Sequence, residues 1–162
     1  MLKSIIEHAL KHFLTDNRYH TLSQTQIEAY ADLLALAMVI DHHIAQQERD
    51  LLTKILEQFE WPANRPSEHF INQSVRRAWG LLEAAQKNAA ILSYCKDIST
   101  RLKEDWIREN AFSSVIKIVH ADDKLDVEES TLINLLAEAF DLPDDQKELL
   151  ITRARMPEKP TP

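Results

Sequence analysis

The chain has 162 residues, 44% of them hydrophobic and 28% charged, with a formal charge of −7 at pH 7. That length suits one domain burying about two-thirds of its unfolded surface, and the acidity argues against an extended nucleic-acid footprint. The single glycine, Gly80, excludes the GxGxxG fingerprint, the P-loop and the GxSxG elbow, so no nucleotide cofactor is expected.

A first helix is predicted over 2–14, with Leu2, Ile5, Ile6, Ala9, Leu10 and Phe13 on one face at helical spacing. His8 and His12, four apart on its other face, read as solvated. After a polar turn, Thr21 and Gln24 have the spacing of a capping box, and a second helix follows to about Ile40. Its stretch AYADLLALAMVI is apolar nearly all round, which predicts a central, buried element. A third helix is expected from about Gln46 to Glu60, ended by Trp61-Pro62 and Pro66. Ser67 is the expected N-cap of a fourth helix to about Ala85, with Gly80 marking either a close helix contact or an interruption. A fifth covers Asn88 to Leu102 and carries Cys95 on its apolar face, the place of an inert core thiol. The sixth runs from about Glu104 to His120 and the seventh from Val127 to Phe140. Asp144 is placed to cap an eighth that ends near Arg155. The proline-rich tail, 156–162, reads as disordered. The expected fold is therefore all-α, a single bundle of seven to eight helices over 1–155.

Two stretches of this bundle repeat. VIDHHIAQQERDLLTKILEQF, from Val39 to Phe59, aligns with the run ending HADDKLDVEESTLINLLAEAF, whose last residue is Phe140. Asp41 and Asp122, Glu48 and Glu129, and Phe59 and Phe140 are each separated by 81 residues. The halves, about 22–60 and 104–141, each read as helix, acidic loop, helix, related by a pseudo-twofold axis. Such a repeat brings Asp41, Glu48, Asp122 and Glu129 toward one point.

Those acids carry the functional signal. Asp41 and Asp122 follow the C-terminal ends of apolar helices, where the helix dipole disfavours negative charge, and Asp123 doubles the charge. A divalent cation relieves this, and carboxylate oxygens suit calcium or magnesium. Asp126 is a secondary candidate. His42, His43 and His120 offer nitrogen ligands for zinc or nickel. The opposing explanation is capping: Asp126 and Glu129 have D-x-x-E spacing, and acids in a first helical turn need no ion. Asp123 and His42 also suit the left-handed backbone that glycine usually fills. Neither loop is an EF-hand, since Lys124, Val127 and Ile133 occupy positions where that loop needs an oxygen ligand, glycine and glutamate.

The run Ala121 to Glu129, ADDKLDVEE, followed by Leu132, Leu135, Leu136, Ala137 and Phe140, resembles the tellurite-resistance TerB family. The family pattern is an apolar helix, A-D-G-x-[IL]-x-x-x-E, and another apolar helix, usually present twice. Here His42 and Asp123 stand at the motif glycine, and Ala45 and Gln47 replace polar or acidic residues of the first copy. The resemblance covers about 25–142. It implies an all-helical fold, an acidic cluster for metal, and a role in the response to tellurite or related stress. It also implies protein partners, among them an integral-membrane protein of the Ter system.

The leading expectation is thus a non-catalytic TerB-like module that binds a divalent cation. A metal-free helical adaptor is the alternative, and a metal-dependent enzyme a more distant one, since no Glu-x-x-His pair supports a di-iron bundle. Arg76, Arg77, Arg101, Lys103 and Arg108 read as solvated basic surface. No signal-like segment opens the chain, the longest apolar run is far too short to span a bilayer, and one cysteine suits a reducing compartment. A cytoplasmic protein without direct membrane insertion is expected.

Overall fold

The computed structural model describes residues 17–40, 50, 53, 56–57, 66–119 and 126–155. The predicted first helix with His8 and His12, most of the third, and the tail 156–162 lie outside the described residues. What is described is helical throughout: a 3₁₀ turn, Asn17–Thr21, then α1 (Gln24–Val39), α2 (Ser67–Leu82), α3 (Lys87–Leu102), α4 (Asp105–Val119), α5 (Val127–Ala139) and α6 (Asp144–Arg155). Between α1 and α2, Leu56 is buried and the Glu57 N–H reaches the Thr53 carbonyl at 2.9 Å, one helical turn of the predicted third element.

The middle of the bundle is α1. Every residue from Ala29 to Ile40 is buried, because α2, α3 and α4 all pack against this helix. A helix enclosed on all sides has no polar face to write, which is why its sequence lacks amphipathic periodicity. Around this axis α5 lies against α3, and α6 against α4. Phe70, Phe112, Leu33, Leu36, Ile98 and Ile107 are among the largest fully buried side chains, each contributing about 1.5–3 kcal/mol by leaving water. The apolar spacing of this helix predicts Trp106, Ile107, Ala111, Val115, Ile118 and Val119 as its inward residues; Ile107, Ala111, Val115 and Val119 are buried, Trp106 and Ile118 only partly so, and Phe112 and Ile116 are wholly buried beside them.

Several boundaries differ from expectation for local reasons. The capping box on α1 is Ser23 with Gln26, not Thr21 with Gln24: Ser23 accepts from the Gln26 N–H at 3.2 Å, and the Gln26 side chain accepts from the Ser23 N–H at 2.8 Å. Thr21 instead donates its hydroxyl to the Arg18 carbonyl at 2.6 Å, closing the 3₁₀ turn. Ser67 is the first residue of α2, after Pro66, whose fixed φ suits a cap but which has no side-chain acceptor. Asp144 likewise lies within the first turn of α6, whose Lys147 N–H bonds the Pro143 carbonyl at 2.9 Å. Helix α2 passes through Gly80 uninterrupted, and a Cβ there would meet nothing within 4 Å. Gly80 therefore serves neither of the roles expected of it.

With so little glycine, the left-handed residues after helices are side-chain bearing. Lys103 follows α3 at φ 70, and Asp141 follows α5 at φ 52. After α5 the Leu142 N–H returns to the Ala137 carbonyl at 3.0 Å, the six-to-one bond of a Schellman ending. The 3₁₀ turn is held to α4 by aromatic contacts. Tyr19 meets Trp106 edge to face at 5.6 Å, and the Arg18 guanidinium lies 4.6 Å from the Trp106 ring centroid.

Candidate functional site

Of the predicted ligands, Asp41, His42, His43, Glu48, His120, Asp122 and Asp123 lie outside the described residues. Asp126 and Glu129 lie within them, at the start of α5. Asp126 takes the extended conformation of an N-cap, and its Oδ1 accepts from the Glu129 N–H at 2.7 Å. The capping role read from the D-x-x-E spacing is therefore real for Asp126. Glu129, one turn into the helix, is 8% exposed. Among the described residues, no three histidine, cysteine or acidic side chains are grouped closely enough to hold an ion.

The anchor points of the two acidic segments can be placed. Near its start, α1 is tied to the turn between α3 and α4: the Gln26 amide donates to the Leu102 carbonyl at 2.7 Å and to Glu104, the residue before α4, at 3.4 Å. Further along, the Tyr30 and Ser114 hydroxyls are 2.7 Å apart. The two helices thus run in the same sense, and both end on one side of the bundle. There Ile40, which precedes Asp41, shares a cleft with Val127, which follows Asp126. This cleft encloses about 300 Å³ over a floor of Ile40, Ile91 and Leu132. Its rim carries Val127, 82% exposed, and an ion pair between Lys87 on α3 and Glu128 on α5, at 3.0 Å.

A second polar feature was missed in the sequence. Asp32, in the middle of α1, is only 2% exposed. Its Oδ1 accepts from the Ser74 hydroxyl at 2.6 Å and from Arg77 at 2.7 Å, both on α2. Its Oδ2 accepts from Arg101 on α3 at 2.8 Å. One carboxylate therefore joins three helices. Burial would lower the pKa of both arginines, but hydrogen bonding and charge from Asp32 outweigh it, and both are raised. The available signal was the single acid within the apolar stretch AYADLLALAMVI, since a charge in that position requires partners.

These contacts redistribute the predicted basic surface. Arg77 and Arg101 turn inward to Asp32, and Arg101 also bonds Asp97 at 2.9 Å. Arg108 donates to the Ser99 carbonyl at 3.0 Å and to Asp105 at 3.1 Å. Arg76 and Lys103 keep the solvated role assigned to them.

The sequence profile of the family described as "Tellurite resistance protein TerB" matches residues 27–151. The chain belongs to the TerB family. The match extends beyond the acidic repeat to include most of α6, which covers α4 and ties to it through Gln146 and Glu109. No curated protein and no solved structure gives a match. Among the described residues of this TerB chain, no helix is long and apolar enough to cross a membrane. Cys95 is wholly buried, and burial pushes its thiol up to about 12. A thiol held protonated by its apolar surroundings and closed to solvent takes the place of a core side chain.

Proposed function

We propose that this TerB-family chain is a non-catalytic stress-response module that binds a divalent cation, calcium or magnesium, through Asp41, Glu48, Asp122 and Glu129. Asp123, Asp126, His42, His43 and His120 are secondary ligands, and the histidines admit zinc or nickel. One observation supports the convergence of these acids: Ile40 and Val127, which flank the two acidic segments, border the same cleft. Two like-charged segments leaving one end of a bundle repel each other, and a shared cation offsets that repulsion. The cation then sets the shape of the end of the bundle that a partner reads. In the family's setting that partner is a protein of the Ter system, including its membrane-embedded component, met from the cytoplasmic side.

Isothermal titration of calcium, magnesium and zinc into the full chain tests this reading. Saturable binding that disappears in Asp41→Asn/Asp122→Asn is expected. Binding that survives the double substitution places the cation elsewhere.

A metal-free helical adaptor is the second reading, favoured by Asp126, whose capping bond to the Glu129 N–H requires no ion. Absence of heat with all three cations, together with unchanged thermal stability in EDTA, selects the adaptor.

A further inference from the structure

Helix α4 is buried on two opposite sides. Ser114 faces α1, where its hydroxyl lies 2.7 Å from that of Tyr30. Two residues on, a rotation of about 200°, Ile116 points away from α1, yet it is wholly buried. Phe112, one turn earlier and also wholly buried, lies beside it. Glu109, seven residues before Ile116 and on the same face, accepts from the Gln146 amide near the start of α6. The cover over this second face is therefore α6, which packs against α4. The two helices are unequally committed to the contact. Six of the twelve residues of α6 are charged, Leu150 is its one buried side chain, and Ile151 and Ala154 are partly buried. Its tie to α5, from Lys147 to Asn134 at 2.7 Å, is exposed. Nor does α5 need α6 to end: the Leu142 N–H closes it on the Ala137 carbonyl, and the next residue, Pro143, has no N–H to leave unpaired.

We propose that α6 is a strap: it lifts from α4 as one unit, pivoting at Leu142-Pro143, while the other helices stay packed. Lifting uncovers the apolar strip of Phe112 and Ile116, so the strap switches that face of α4 between closed and open. Few buried apolar groups and exposed polar ties are the marks of a segment that opens below the free energy of global unfolding. The Gln146–Glu109 and Lys147–Asn134 bonds lost on lifting are replaced by bonds to water. The remaining helices have what α6 lacks. Helix α1 is enclosed on all sides, and Asp32 joins it to Arg77 on α2 and Arg101 on α3. None of those contacts involves α6, so the lifted form keeps them.

Native-state thiol labelling of the full chain carrying Ile116→Cys tests this, under conditions where labelling is slower than reclosing. Cys95, wholly buried on α3, is the reference within the same molecule. Lifting of α6 exposes position 116, whereas Cys95 requires the bundle to unfold. Position 116 is expected to label at least about 100-fold faster than Cys95. Leu150→Ala weakens the closed state relative to both open forms and should speed the two thiols by a similar factor. Asp32→Asn separates them, because the lifted form retains the Asp32 junction: Cys95 should speed up at least about tenfold, and position 116 should stay within about twofold. Hydrogen exchange of the unsubstituted chain excludes an effect of the new cysteine; the amides of 148–155 should exchange together, and before those of α1. Equal labelling of the two thiols, no response to Leu150→Ala, equal acceleration of both by Asp32→Asn, or amides in α6 as protected as those of α1 overturns the strap.

Discussion

Replacing Asp32 by Asn removes one negative charge from the junction of α1, α2 and α3 while keeping the shape of the side chain. Asn retains an acceptor for Ser74 or Arg77, but its amide faces the other guanidinium as a donor. Arg77 then loses its carboxylate partner, and Arg101 keeps only Asp97, at the exposed edge of the junction. Breaking a fully buried ion pair by deleting one partner costs about 3–5 kcal/mol, and a hydrogen bond to a charged group contributes about 1.5–3 kcal/mol. The partners here are not fully buried: the Arg77 and Arg101 side chains are 42% and 24% exposed and can turn toward water. Screening and that escape reduce the loss to about 2–3 kcal/mol. At roughly 2–4 °C per kcal/mol for a chain of this size, the expected fall in Tm is about 5–10 °C. Thermal unfolding followed by far-UV circular dichroism measures the fall in Tm, and urea unfolding the loss of free energy. A double-mutant cycle with Arg101→Leu, less exposed than Arg77, should return a coupling well above experimental error. Stability of Asp32→Asn within about 0.5 kcal/mol of the parent would refute the view that this carboxylate ties the three helices.

Three further outcomes are expected. Asp126→Ala should cost about 1 kcal/mol by removing the acceptor for the Glu129 N–H, and Asp126→Ser should restore most of it; chemical denaturation of the three proteins decides this. Burial raises Cys95 from an ordinary 9.0 to about 12 and, with the charge of Asp32 adding to it, Tyr94 from 10.0 to about 12. Because the folded state holds both protons more tightly than the unfolded one, their contribution is complete below about pH 9 and is lost as pH rises toward about 12. Urea midpoints measured across that interval should fall, and fall less steeply in Tyr94→Phe. Native Cys95 should resist thiol-specific labelling that goes to completion in urea, and rapid labelling of the folded chain contradicts its buried placement.

Only part of the candidate site was open to sequence reasoning. The helical spacing of Ile91, Leu92, Cys95 and Ile98 marked a core face; Ile91, Cys95 and Ile98 are buried, and Leu92 is partly buried against them. The D-x-x-E spacing marked Asp126 as a cap for the same reason: a bond across three residues depends only on the local turn. The Thr21–Gln24 spacing was equally good on paper, yet Ser23 and Gln26 won because Gln26 also reaches Leu102 across 76 residues. The cleft was invisible, since Ile40, Lys87 and Glu128 belong to three separate helices.

By itself, then, the order of the amino acids determined what short-range periodicity can write: an all-helical chain, a central α1, the membership implied by ADDKLDVEE, and most helix ends. Tertiary structure alone decided which distant groups meet. Asp32 finds Arg77 and Arg101 across 45 and 69 residues, turning two apparently solvated cations into the partners of a buried carboxylate. Periodicity within a helix says which way a side chain points, whereas the identity of what it meets depends on how separate helices cross.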